Sequence, residues 1–561
     1  MSRSKCIIWP ALMAVAAVAT PAEVAASEAP VPPVVPGCAQ LSGLQIAASQ
    51  IGISSGSAIV TSATSGTVMT PQGEKRHYCL VLGEIAARTS GASPIRFRVN
   101  LPAAWNSRSL QMGGGGFNGL LTDGLGPARD QPASIATPLA RGYVTIGTDS
   151  GHQLKSADDP EVARFALNDE MFRNFAFEAY KKVADVAAVL IETHYGRAAK
   201  YRFFLGGSEG GREALTMAQR YPGNFEGIVS VVPVINWTGL FTTFYNFGAV
   251  QRNGLGSINA AKVRLIADHV NATCDALDGI ADGVVTNYLA CPAKMELRKL
   301  RCPDGKDLGD TCLSDGQLAT LRTVYEPTPI PVETPNGITS YPPRLFGSEI
   351  APGPDGLARW VSTGTPPTET GSDARGVVYG WNYARFVIAR DPSFDVRTYD
   401  PKNFETRIKA VADLMDSTNP DLSGFYKRGG KLILRENAGD FAQSPLVGMH
   451  YFESVVAKMG KSTVNRFMRF YVSPASAHSG RASSLTTGVA VPTSHDLLED
   501  IDKWVSEGTP PKDMLIQVRE SEGPAFKVEA ARPMCRYPLY PHYVGGDATA
   551  ATSYRCRKSG N

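Results

Sequence analysis

The chain has 561 residues, 43% of them hydrophobic and 19% charged, with a formal net charge of +3. That composition belongs to a folded globular chain, and the length exceeds one compact core, so one large domain with a big insertion, or two to three domains, is expected. Near-neutral charge without a run of like-charged residues excludes a nucleic-acid or membrane-surface footprint, and nothing in the sequence bears on oligomeric state.

The N-terminus carries Arg3 and Lys5, an apolar stretch from Cys6 to Val18, and the small residues Val24-Ala25-Ala26. This predicts a cleaved secretory signal over 1–26; a membrane anchor is disfavoured because the stretch is short and contains Pro10. Pro30, Pro32, Pro33 and Pro36 then predict a stiff tether over 27–37, so the expected location is secreted or periplasmic. Nine cysteines less Cys6 leave eight, an even number suited to disulfides in an oxidising compartment. Sequence proximity favours Cys38–Cys79, Cys274–Cys291, Cys302–Cys312 and Cys535–Cys556, and the lack of Cys-x-x-Cys spacing argues against thiolate metal sites.

From Cys38 onward, Ala58 to Thr61, Tyr78 to Glu84 and Ile95 to Leu101 carry strand patterns between Gly, Ser and Pro turns, predicting an antiparallel entry to a larger sheet. Leu110 to Met112 then runs into Gly113-Gly114-Gly115-Gly116-Phe117-Asn118-Gly119. Four glycines after a strand let backbone N–H groups approach a substrate oxygen; a flexible connector is the competing reading. Gly142 to Asp149 predicts a buried strand, and Asn168 to Tyr195 a long amphipathic helix, with Phe172, Phe175, Ala179, Val183, Val186 and Leu190 on one face.

Tyr201 to Ala214, YRFFLGGSEGGREA, reads as strand, sharp turn and helix. In a G-x-S-x-G elbow the serine, here Ser208, sits on a strained turn with its hydroxyl clear of the sheet, and the following helix offers free N–H groups. A glycine-rich turn without chemistry is the bland alternative. The elbow helix runs to Tyr221, and Phe225 to Val234 predicts another buried strand, so strands alternate with helices as in a parallel sheet.

Regular alternation stops over residues 237–425, too long for a crossover, which predicts an inserted lid domain over the elbow. It resumes with strands at Lys431 to Glu436, ending near Asp440, and at Asn465 to Val472, followed by the loop Ser473 to Gly480 that carries His478. Ser208, Asp440 and His478 thus stand in the chain order and at the strand ends used by α/β-hydrolases. Glu436 competes with Asp440 as the acid; His450 and His495 fall in helix-like segments and are assigned structural roles. The predicted organisation is hydrolase domain 38–236, lid 237–425 and hydrolase domain 426–561.

Within the lid, Asp275, Asp278 and Asp282 lie close to Gly279 and Gly283. A looped backbone there lets carboxylates and carbonyls converge on a hard cation such as calcium; a solvated Asp-Gly turn is the alternative.

Taken together, LPAAWNSR before QMGGGGFNG, GGSEGGREA, ATCDALDGIADGVVTNYLAC, GGKLIL with Asp440 downstream, and AHSG resemble the tannase and feruloyl esterase family of secreted α/β-hydrolases. The resemblance runs from about Cys38 to Cys556. It implies Ser208 as nucleophile, His478 as base, Asp440 as its orienting acid, and the backbone N–H groups of Glu209 and Gly116 as oxyanion donors. It also implies structural Ca2+ on the side chains of Asp275, Asp278 and Asp282 and the carbonyls of Ile280 and Val284. The family typically has cysteines before the serine and after the histidine; here Gly207 and Ser479 stand there, which leaves packing to hold His478. The expected activity is carboxylic ester hydrolysis of a small-molecule aromatic-acid ester, of feruloyl, galloyl or terephthalate and phthalate monoester type. The rivals are a non-catalytic binding protein on the same scaffold and a hydrolase of amide or carbon–carbon bonds.

Overall fold

The computed structural model describes residues 36–369 and 372–559. The expected signal and all but the last two residues of the tether lie outside the described residues.

Short strand β1 (Gln45–Ile46) and the longer β2 (Ala58–Met69), β3 (Lys75–Ile85) and β4 (Ile95–Pro102) form the antiparallel entry. Then come β5 (Arg108–Met112), β6 (Val144–Thr148), β7 (Tyr201–Gly207) and β8 (Gly227–Val231). After β8 the chain leaves the sheet, forms a small hairpin of β9 (Thr328–Thr334) and β10 (Ile338–Tyr341), and returns as β11 (Lys431–Asn437) directly beside β8. The sheet is completed by β12 (Met468–Ser473), β13 (Met514–Glu520) and β14 (Val528–Arg536); β15 (Leu539–Tyr543) and β16 (Tyr554–Lys558) pair separately. The 12-stranded order is β1-β2-β3-β4-β6-β5-β7-β8-β11-β12-β14-β13. Its centre, from β6 to β12, is parallel throughout. This is the α/β-hydrolase architecture expected, with the strand ends after β7, β11 and β12 at one edge.

Side chains alternate across the parallel strands, so each strand feeds two cores. Phe203, Val229 and Ile433 pack under the helix Leu497–Ser506 on one face. Phe204, Ile228, Leu432 and Leu434 face the helix Glu209–Arg220 on the other, in one apolar cluster with Trp237, Phe241, Tyr383 and Val387 of the insertion. The insertion therefore shares the core of the sheet. The four disulfides are the four pairs that sequence proximity favours.

Three local expectations are corrected. The helix expected unbroken from Asn168 to Tyr195 contains a wide turn over Asn174–Glu178; the Asn174 oxygen lies 2.8 Å from the buried Lys182 ammonium, which also pairs with Glu178 one turn before it at 3.0 Å. The strand expected from Asn465 begins at Met468, because the preceding residues finish the helix Lys461–Phe467. His450 is helical, but His495 precedes its helix: Asp496 caps the N-terminus by accepting from the N–H groups of Leu498 and Glu499.

Candidate active site

Apolar, aromatic β7 ends at Gly207, and the helix starting at Glu209 leaves one residue, Ser208, to turn the chain. Ser208 takes φ 61° and ψ −124°, a strained conformation for a residue with a side chain. The turn is tight enough that a Cβ on Gly206 would lie 2.1 Å from the Gly210 carbonyl oxygen. Strain is held by hydrogen bonds on both sides: the Ser208 N–H donates to Val231 O at 3.0 Å, and its carbonyl accepts from the Val234 N–H at 3.2 Å.

β11 and β12 deliver the other two groups. Their exit loops bind each other, with the Gly439 N–H donating to Ser476 O at 2.9 Å and Asn437 Nδ2 to Ala477 O at 2.7 Å. His478 Nε2 lies 2.9 Å from Ser208 Oγ, and His478 Nδ1 lies 2.7 Å from Asp440 Oδ2. The Asp440 side chain is fully buried, and its Oδ1 accepts from the Gln443 N–H at 3.1 Å. Glu436 also is fully buried, but it points beside the Gln443 amide and makes no bond to His478; burial pushes its carboxyl well above the usual carboxylate range. Geometry thus selects Asp440 over Glu436 as the partner of His478.

Gly116 and Glu209 line the same small cavity as Ser208 and His478. Gly116 has φ 59°, and a Cβ there would sit 2.5 Å from the Tyr379 hydroxyl. The glycine loop is gripped from behind by Glu213 of the elbow helix, which accepts from the Gly114 N–H at 3.0 Å and from Asn118 Nδ2 at 2.5 Å. The Glu209 side chain turns inward to a fully buried ion pair with Arg212, at 2.5 Å; burial pushes its carboxyl up, to about 7, against the pull of that guanidinium. As the first residue of its helix, Glu209 has a backbone N–H without an intrahelical acceptor.

Leu240, Phe241, Phe244, Trp360 and Tyr379, all from the insertion, wall the cavity. Trp360 stands edge-on to the His478 ring with centroids 5.7 Å apart. The cleft between these walls is narrow, with about 30 Å³ of free volume, room for about two waters.

Packing alone does not hold the histidine loop. Arg129 donates to the His478 carbonyl, and Asp355 accepts from the Ser479 N–H at 2.9 Å and from its hydroxyl at 2.5 Å. Sequence reasoning missed Arg129, Asp355, Trp360 and Glu213. Only Glu213 lay inside a motif already singled out, one turn beyond Glu209.

In the expected cation segment, Asp275 Oδ1 accepts from the N–H groups of Asp282, Gly283 and Val284 at 3.1, 2.9 and 3.2 Å, folding the loop around itself. Asp282 meets the Arg532 guanidinium of β14. Asp278 accepts from the Ile280 N–H at 3.2 Å, while Asp278 Oδ2 and Asp282 Oδ1 are buried without a hydrogen-bond partner. Among the described residues no three His, Cys, Asp or Glu side chains converge as a ready metal cluster. The two orphaned oxygens are the feature of the segment that fits a hard cation.

Fold and site together define an α/β-hydrolase with serine, histidine and aspartate in line. A family model described as "Tannase and feruloyl esterase" matches residues 79–557. The chain is 35% identical over 539 residues to an uncharacterised esterase of Agrobacterium fabrum, covering 92% of each. It is 28% identical over 538 residues to a mono(2-hydroxyethyl) terephthalate hydrolase of Piscinibacter sakaiensis, covering 88% of this chain and 86% of the relative. The crystal structure of feruloyl esterase B from Aspergillus oryzae superposes with a TM-score of 0.73 at 24% identity, covering 91% of this chain and 98% of that one. The chain belongs to the tannase and feruloyl esterase family. It is a carboxylic ester hydrolase.

Proposed function

We propose that this chain is an exported serine esterase that cleaves an aromatic-acid ester through an acyl-enzyme. The observation that carries the mechanism is the unbroken relay from Ser208 Oγ through His478 to Asp440, at 2.9 and 2.7 Å. His478 Nε2 takes the Ser208 proton as Oγ attacks the ester carbonyl, and Asp440 fixes the tautomer and orientation of the ring. The N–H groups of Glu209 and Gly116 donate to the oxyanion. His478 then returns the proton to the departing alcohol oxygen, leaving the acyl group on Ser208. Water, deprotonated by the same nitrogen, attacks the acyl carbonyl, and collapse releases the acid and restores the serine.

The aromatic wall of Phe241, Phe244, Trp360 and Tyr379 favours a flat acyl group, and the names of the relatives point the same way. Because residues of the insertion wall the narrow cleft over Ser208, the insertion acts as a lid whose walls choose the substrate. Export is supported by the N-terminal pattern and by the four disulfides; among the described residues no helix is long and apolar enough to cross a membrane. Structural calcium is assigned to Asp275, Asp278 and Asp282 with the carbonyls of Ile280 and Val284, supported by the orphaned oxygens of Asp278 and Asp282. It would neutralise those carboxylates and fix the loop that carries them, with no part in the bond cleavage.

Purified protein and its Ser208→Ala variant, assayed on p-nitrophenyl, hydroxycinnamate, gallate and terephthalate monoesters beside short aliphatic esters, test this reading. The parent is expected to prefer the aryl acids and the variant to be inactive on all of them. Hydrolysis retained by the variant sinks the assignment of Ser208.

A further inference from the structure

We infer that the insertion does more than cover the site: through Asp355 it seats the catalytic base, making Asp355 a positioning residue for the reaction. The inference rests on the reading of Ser208, His478 and Asp440 as the esterase relay.

Asp355 is the N-cap of the short helix Gly356–Trp360. An aspartate there ordinarily turns its carboxylate back onto its own helix's free N–H groups. This one makes no such bond. Both oxygens reach instead across 124 positions of sequence to the residue next to His478, Oδ1 to the Ser479 N–H at 2.9 Å and Oδ2 to the Ser479 hydroxyl at 2.5 Å. Asp355 is only 3% exposed, so its charge is screened little by water and the bonds hold a fixed direction. Five residues on, at the other end of the helix, Trp360 sets its indole edge-on against the His478 imidazole. One element of the insertion thus holds the backbone after the base and the ring of the base itself.

The hydrolase domain supplies the opposing hold. Arg129 donates to the His478 carbonyl, and its side chain lies over the elbow so closely that a Cβ on Gly207 would come within 2.5 Å of the Arg129 Cδ. The arginine loop is anchored in turn, since Asp130 Oδ2 accepts from the buried Arg435 of β11 at 2.8 Å. The single peptide that joins His478 to Ser479 is therefore gripped at its carbonyl by Arg129 and at its N–H by Asp355 of the insertion. If the insertion shifts, the bond to Ser479 is the direct path by which His478 Nε2 leaves Ser208 Oγ.

The experiment measures kcat, KM and thermal midpoint for Asp355→Asn, Asp355→Ala and Ser479→Ala on the best aryl ester, beside Ser208→Ala. A displacement of about 1 Å at a catalytic group costs up to ~10²-fold. Asp355→Ala is expected to lower kcat about ten- to a hundredfold with KM held within about twofold. Asp355→Asn, which keeps one acceptor oxygen for the Ser479 N–H, recovers part of that loss, and Ser479→Ala, which loses only the hydroxyl bond, falls between the parent and Asp355→Ala. The labelling rate of Ser208 by a fluorophosphonate should drop in the same order. Should Asp355→Ala fail to fold, Asp355→Asn and Ser479→Ala carry the test, because the first removes the charge on the acceptor and the second the hydroxyl bond. Parent-like kcat in both of these, or a change confined to KM, overturns the inference. Hydrolysis surviving in Ser208→Ala would instead overturn the relay reading, whatever the Asp355 variants show.

Discussion

The sheet and the insertion contribute to one site in opposite ways. The sheet delivers Ser208, Asp440 and His478 from the ends of β7, β11 and β12, where parallel pairing to neighbouring strands fixes each exit. The insertion delivers Trp360, Tyr379 and Asp355 from short helices and turns, with no extended ladder behind them. These three side chains therefore rest on strands paired along their length, while the walls and one hold on the His478 loop rest on a part that shares the core of the sheet but not its ladder. Asp355 is the contact by which the insertion reaches the loop of His478.

Breaking the sheet's contribution should cost most. Asp440→Asn is expected to cut kcat by about 10⁴-fold at neutral pH, the scale of loss when a histidine is left without the acid that fixes its tautomer. Steady-state kinetics with intact near-UV circular dichroism checks this; a loss under tenfold would leave Glu436 as the acid. A step lower lies Glu213, which holds the glycine loop from the elbow helix. Removing one oxyanion donor costs about 10²- to 10³-fold, so Glu213→Ala, which frees the loop without deleting Gly116, should cost up to about 10²-fold in kcat with KM little changed. The Asp355 variants come next, and they sharpen the comparison by asking how far the insertion reaches into the chemistry. Smallest is the cation. A ligand at a hundredfold excess over its dissociation constant stabilises by about 2.7 kcal/mol. Chelation should accordingly lower the thermal midpoint by ~5 °C, restored by added calcium, with kcat unchanged below the transition. An unmoved midpoint in differential scanning calorimetry would show that Arg532 alone serves Asp282.

The same contrast explains what could be read from the sequence. The convergence of Ser208, Asp440 and His478 was legible because short continuous apolar runs mark buried parallel strands, and polar groups placed just past their ends meet at one edge of the sheet. The four disulfides were legible because each closes a short segment. The insertion's part was not. Asp355 sits in Pro354-Asp355-Gly356, which reads only as a turn, and its partner lies 124 residues away; Arg129 and His478 are separated by 349. No periodic element connects such pairs, so only the folded chain brings them together. The wide turn at Asn174–Glu178 escaped for a different reason: one extra residue in a helical turn hardly disturbs the spacing of an apolar face.

The apolar cluster that runs without a break from Phe204, Ile228 and Leu432 into Trp237, Phe241 and Tyr383 has an engineering consequence. The insertion has no sealed underside of its own, so it is not a cassette. A chimera that exchanges it with a relative's must carry the facing residues of β7, β8 and β11 along with it, or the new roof will meet a floor shaped for another. Single residues in the cavity walls are thus more readily exchanged than the insertion as a whole.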